Sequence, residues 1–201
     1  MGEKGEMTRS RIVETAKTLF HLKGFTNTSM DDIVRESGIT KGNLYYYFSS
    51  KEELGNAVIE QWISDAFSRK LYFPKKGDPV RQIMAMFRRI EKEMKTMECR
   101  GGCPFGNLAV EVSDLHDGLR KKLEEAFSRW VKQLEEFFET HRRQGVLRPD
   151  IDSKSAARFV VATLEGGILL SKVKRNVQVF KNCTEMMRQF LEGLRVHPTS
   201  K

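Results

Sequence analysis

Between Ile39 and Phe48 the chain reads Ile-Thr-Lys-Gly-Asn-Leu-Tyr-Tyr-Tyr-Phe. Leu44 and Phe48 stand four apart, so one face of a helix can anchor both in a core. Gly42 and the first helical turn then face outward, where a phosphate can approach free backbone N–H groups. Lys41 and Lys51 flank that face and can neutralise phosphates. Tyr45 and Tyr46 add phenolic donors and flat apolar surface suited to thymine methyls or sugar edges. The same composition also fits an aromatic-rich core helix. Three successive tyrosines cannot all point inward on one helix, so at least one is exposed on either reading.

A second group of reactive residues begins at Arg100-Gly101-Gly102-Cys103-Pro104. Pro104 suits a first-turn position, which puts Cys103 at or just before a helix N-terminus. There the dipole favours a thiolate, and Arg100 is close in sequence. The alternative is a small residue that packs well, the usual role of a free cysteine. Cys99 and Cys103 are four apart and Cys183 stands alone. A zinc site needs further ligands at workable spacing, and His116 and His141 form no HxxxH or HExxH pattern, so neither metal nor cofactor is expected. Glu165 shares a helix face with Val161 and Ile168, and a buried carboxylate needs a partner. Lys172 or Arg158, a ligand amine, or a residue of a second subunit could supply one; an exposed helix edge would need none. Gly166-Gly167 would let another helix approach closely. Phe87, Phe127 and Trp130 are core or pocket residues.

Helical periodicity positions these groups. Ile12, Val13, Ala16, Leu19 and Phe20 fall on one helix face, and Gly24 stops that helix. Ser29 with Asp32 forms a capping-box pattern for a second helix ending at Gly38. Thr40 can cap a third, and Glu36-Ser37-Gly38-Ile39 joins the two as in a helix-turn-helix. Ser50 with Glu53 makes another capping box and opens a helix to about Lys70. The segment from Pro74 to Pro79 is a break, followed by helical spacing through Val80, Ile83, Met84, Phe87 and Ile90. Further helices are expected at about 104–112, 117–144, 153–174 and 177–194. In the second of these, Leu123, Phe127, Trp130, Leu134 and Phe138 point inward. No strand-type alternation and no repeat occurs, so the fold class is all-α with about nine helices.

The 201 residues suffice for a buried core without disulfide or metal staples. Three cysteines argue against a disulfide-built secreted protein. No apolar run approaches the roughly 20 residues of a membrane helix, and Met1 to Arg11 lack a signal-peptide core. A cytoplasmic protein with no membrane partner is expected. The formal charge is +8, yet residues 1–60 hold 8 Lys/Arg against 9 Asp/Glu. Bulk charge therefore does not mark the N-terminal part for nucleic acid; a few placed donors would have to do so.

From about Thr8 to Ala57 the sequence resembles the DNA-binding domain of TetR/AcrR transcriptional regulators. The resemblance lies in Ile12 through Ala16, Phe20, Gly24-Phe25, Thr28-Ser29-Met30-Asp31-Asp32-Ile33, Ser37-Gly38-Ile39, Thr40 through Phe48 and Ser50-Lys51-Glu52-Glu53-Leu54, in matching order and spacing. It implies a three-helix helix-turn-helix reader over residues 1–50 and a larger helical effector-binding and dimerisation domain over 51–201. By the same resemblance Thr28, Thr40, Lys41, Gly42, Asn43, Tyr45, Tyr46 and Lys51 fall at DNA-contact positions. Asn43 sits where the base-reading residue varies among members, so no base is assigned to it.

The resemblance further implies a homodimer on a palindromic double-stranded DNA operator, with residues 40–47 in the major groove and the last two helices pairing as a four-helix bundle. A small-molecule effector would release such a repressor. The stretch Gly102 to Asp114 resembles a subset of the family with a Gly-Cys pair at this helix start and an Ala-x-Glu stretch after it. That subset includes repressors sensing electrophiles or oxidants through the cysteine, and Lys172 aligns with a lysine that can lie near it. The effector or sensor candidates are therefore Phe87, Cys103, Phe105, Asn107, Phe127, Trp130, Glu165 and Lys172. The rival classes are an all-α enzyme, for which no phosphate loop, nucleophile–base pair or metal set is found, and a helical interaction protein that does not bind DNA.

Overall fold

A computed structural model describes residues 2–69 and 77–196. Lys70 and Pro74 to Lys76, where a helix end and a break were expected, lie outside these. The described residues form nine helices: α1 (Glu3–Lys23), α2 (Met30–Ser37), α3 (Lys41–Tyr47), α4 (Lys51–Arg69), α5 (Pro79–Thr96), α6 (Pro104–Val112), α7 (Asp117–Arg143), α8 (Ser153–Lys174) and α9 (Val177–Gly193). No strand occurs among them, only an isolated bridge between Leu147 and Arg195.

The start signals act as their chemistry requires. Ser29 and Asp32 form a reciprocal capping box on α2, whose end at Gly38 is left-handed with φ of 66°. Hydrogen bonds from the Ser29 hydroxyl and backbone, with Arg35 beside it, hold the Asp32 carboxyl well below the usual carboxylate range. Thr40 Oγ1 accepts from Asn43 N at the start of α3. At α4 the pattern differs from the expected box. Ser50 Oγ accepts from Glu53 N, but the Glu53 carboxylate reaches one residue further back, to Ser49 N at 2.7 Å.

The chain divides into two compact units. The first joins residues up to Phe67 with Cys103–Ala126, and the second joins Ser68–Gly102 with the chain from Phe127. In the first unit, Ile12, Ala16 and Phe20 of α1, Ile33 of α2, Leu44 of α3, Leu54, Val58 and Trp62 of α4, Leu108 and Val112 of α6, and Leu119 and Leu123 of α7 share one core. Residue 50 therefore marks the start of α4 but not the edge of a packing unit. Three short helices bury too little apolar surface alone, and α4, α6 and the start of α7 complete the core.

In the second unit, α9 packs on α5 and α8. Phe87 of α5 stacks on Phe180 of α9 at 5.7 Å between ring centroids. Arg195 beyond α9 pairs at 2.6 Å with Asp78, which also caps α5 through Arg81 N. The two adjacent glycines of α8 have different surroundings. A Cβ on Gly167 would stand 3.0 Å from Phe180 Cδ2 and 3.4 Å from Cys183 Cβ, whereas one on Gly166 would meet nothing within 4 Å. The close approach expected at Gly166-Gly167 is thus, at Gly167, an approach of α9 of the same chain.

Replacing Gly167 by leucine should push α8 from α9 and lower unfolding stability by about 2 kcal/mol, the usual cost of overpacking. Gly166→Leu should cost the fold of the single chain far less. Urea titration of both variants checks the contrast.

Candidate DNA-binding face and effector residues

Helix α3 is held by its inner face and open on the other. Leu44 is fully buried and Phe48, its C-cap, is 1% exposed. Thr40, Lys41, Gly42 and Asn43 are exposed, and a Cβ on Gly42 would meet nothing within 4 Å. Of the three tyrosines, Tyr46 and Tyr45 are 75% and 44% exposed. Tyr47 is half-buried against the core, its ring edge-on to Tyr46 at 5.0 Å. A core-helix reading of this stretch is therefore set aside, because Leu44, Tyr47 and Phe48 take the inner face and leave two phenols in solvent.

The cations are less free than the sequence suggests. Lys41 Nζ lies 2.8 Å from Asp31 Oδ1, and that hydrogen bond holds the ammonium above its usual range. A phosphate approaching Lys41 must compete with this carboxylate. Lys51 Nζ sits 4.4 Å from the Phe25 ring centroid and 3.5 Å from Thr26 O, a cation–π geometry that ties it to the α1–α2 turn. Thr28 is wholly buried and its hydroxyl donates to Gly24 O at 2.7 Å. It shapes the turn before α2 and presents no side-chain surface to DNA, a burial its sequence position did not reveal.

The effector and sensor candidates fall in both units. In the first, Cys103 is the N-cap residue of α6 and is half-buried. Gly101 and Gly102 precede it with φ of 80° and 81°, values that favour glycine. Asn107 N donates to Cys103 O at 2.9 Å, and Phe105 meets Trp62 edge-on at 5.8 Å. In the second unit Phe87 is fully buried, Trp130 is 7% exposed and stacks with Phe127 at 6.5 Å, while Glu165 and Lys172 are half-buried on α8.

Among the described residues, the buried donor Trp130 Nε1 has no hydrogen-bond partner, and neither has the buried acceptor Gln133 Oε1 one turn on. Sequence reasoning missed Gln133. Its only signal is its place three residues after Trp130, on the same helix face. It also gave no role to Asp31, or to Glu111, the one charged residue of α6. No cluster of three or more metal-ligating side chains occurs among the described residues, and no described helix is long and apolar enough to cross a membrane.

A capped, core-anchored reader helix after a glycine turn defines a helix-turn-helix DNA-binding protein. Residues 12–58 match the family described as bacterial regulatory proteins, tetR family, and residues 79–187 match the tetracyclin repressor-like C-terminal domain. The chain belongs to the TetR family and is a DNA-binding transcriptional regulator. It is 32% identical to the HTH-type transcriptional regulator LmrA of Bacillus subtilis, over 84% of this chain and 88% of that protein. It is 30% identical to the HTH-type transcriptional repressor DhaR of Mycobacterium sp. strain GP1, over 84% of each. A TetR-family regulator from Cytophaga hutchinsonii superposes with a TM-score of 0.84 at 26% identity, covering 98% of this chain and 100% of that one.

Lys41→Ala should weaken binding to specific and random duplexes by the same factor and lower the slope of log K against log salt by about one. Asp31→Ala should move both affinities upward by releasing Lys41. Fluorescence anisotropy across a salt series measures the two effects. A loss confined to one base position in Lys41→Ala would contradict a phosphate role.

Proposed function

We propose that this regulator is a homodimeric repressor that reads a palindromic operator with two copies of α3 and leaves it when a small-molecule effector binds in the C-terminal part. The observation that carries the reading is the outward face of α3. Thr40, Lys41, Gly42, Asn43, Tyr45 and Tyr46 are exposed together on a helix pinned by Leu44. The first turn offers backbone donors to phosphate, and the two phenols offer base and sugar contacts.

A second copy of the chain is the partner that α8 and α9 suit. On α8, Phe159, Ala162, Leu169, Leu170 and Val173 are exposed along the stripe that also holds the open Gly166. On α9, Met186 is 62% exposed, and Phe159 meets Phe190 at 4.7 Å. An apolar stripe shared by two neighbouring helices favours a four-helix pairing about a twofold axis. Support for an effector comes from Trp130 and Gln133. A buried orphan donor and acceptor each cost about 1–3 kcal/mol, which a ligand carrying one acceptor and one donor beside the Phe127 ring recovers. The relative DhaR, named a repressor, favours repression over activation.

A second reading has its own observation. Cys103 caps α6 behind two glycines with positive φ, and a helix N-terminus is a setting in which cysteines can be reactive. On that reading an electrophile alkylates Cys103 and DNA is released.

Two experiments test these readings. Gly166→Glu should convert the protein from dimer to monomer in sedimentation and abolish binding to the duplex that wild-type protein enriches from a random pool, with the protomer still folded. A dimeric variant would put the interface elsewhere. Treatment with N-ethylmaleimide should strip wild-type protein from that duplex and leave Cys103→Ser bound. Equal release of both would make Cys103 a packing residue and leave the reversible effector.

A further inference from the structure

Between α1 and α2 the chain turns through Gly24, Phe25 and Thr26, and this turn is held from a point 85 residues away in sequence. The Glu111 carboxylate of α6 accepts from Phe25 N at 2.9 Å through one oxygen and from Thr26 N at 2.5 Å through the other. Each oxygen takes one of two consecutive backbone donors, the bidentate arrangement that fixes direction as well as distance. Gly24 is shaped to the same contact. Its φ is +91°, and a Cβ there would stand 3.1 Å from both carboxylate oxygens.

The turn leads directly to the reader. Thr28 donates its hydroxyl to Gly24 O, and Ser29 begins the capping box of α2. The Phe25 side chain carries the same turn into the core. It lies edge-on to Phe20 at 5.0 Å and to His116 at 5.5 Å, with Lys51 Nζ at 4.4 Å from its ring. All of these groups belong to the first compact unit. Beside the core contacts of Leu108 and Val112, Glu111 thus gives the turn that leads into α2, and through Gly38 into α3, a polar tie to α6.

We propose that Glu111 is a positioning residue for DNA reading: its carboxylate holds the α1–α2 turn by two backbone N–H groups and so sets the angle at which α2 and α3 are presented. Glu111 touches no DNA on this account. Removing it leaves two adjacent amides without their acceptor, and the start of α2 gains freedom while the apolar core remains. The loss then falls on binding that needs both half-sites in register, and spares binding that needs only cationic surface.

The test uses full-length Glu111→Ala and Glu111→Gln with two probes, the duplex enriched by wild-type protein from a random pool and an unselected duplex. Glu111→Ala should bind the enriched duplex weaker by about tenfold or more, within what the loss of two charge-assisted hydrogen bonds allows. Its affinity for the unselected duplex should stay within about twofold, because the phosphate contacts are unchanged. Amide exchange, read without DNA, should speed up at Phe25 and Thr26 and not in α4. Glu111→Gln keeps one acceptor and should fall between, and it serves if the alanine variant does not fold. Equal losses on both duplexes would reduce Glu111 to general stability. Full enriched-duplex affinity with loosened amides would uncouple the turn from reading. Amides that stay protected would show that Glu111 does not hold the turn. Each of these results overturns the proposal.

Discussion

A helix of seven residues does not hold its shape in water, because nucleation costs more than so few hydrogen bonds return. Helix α3 persists because Leu44 is fully buried, Phe48 closes its end in the same core and Thr40 caps its start. The burial of Leu44 decides which residues face solvent, since everything off the Leu44 side must point away. The core that receives Leu44 draws on α1, α2, α4, α6 and α7. Helices distant in sequence therefore hold in place an exposed face of half a dozen residues.

The charge distribution follows from the same economy of placement. The near-neutral N-terminal part holds several of its cations in local pairs. Lys17 bridges Glu14 and Asp65, Arg35 pairs with Asp32, and Lys41 pairs with Asp31. Exposed pairs of this kind contribute little stability. Backbone N–H groups at the start of α3 and the phenols of Tyr45 and Tyr46 carry no net charge, so a count of Lys and Arg cannot register them.

In the second unit, the two adjacent glycines of α8 face different surroundings. Gly167 admits the Phe180 ring and Cys183 of α9, while Gly166 opens to the side that carries Leu169, Leu170 and Val173. Adjacent helix positions lie about 100° apart around the axis, so one glycine can close a fold while the next stays open. Helix α7 shows the same division by residue. Leu134 and Phe138 are core, whereas Trp130 brings into the interior a polar atom that no described residue satisfies.

Local signals were legible in the sequence. Apolar spacing, Ser, Thr and Asp caps and glycine stops mark the helices, because each acts within four residues along the chain. The outward turn of Tyr45 and Tyr46 follows from Leu44 and Phe48 for the same reason. Contacts between distant segments were not legible. Nothing near Thr28 announces that its hydroxyl is buried. The capping box at Ser50 suggests a boundary where the core continues, and the Gly166-Gly167 pair does not say which glycine meets α9. Glu111 reaches the Phe25 and Thr26 amides only because α6 packs on α1. Sequence by itself determined the helices and the polarity of the reader. Tertiary structure alone decided what holds the reader in place, because a hydrogen bond between groups 85 residues apart leaves no periodic trace in the chain.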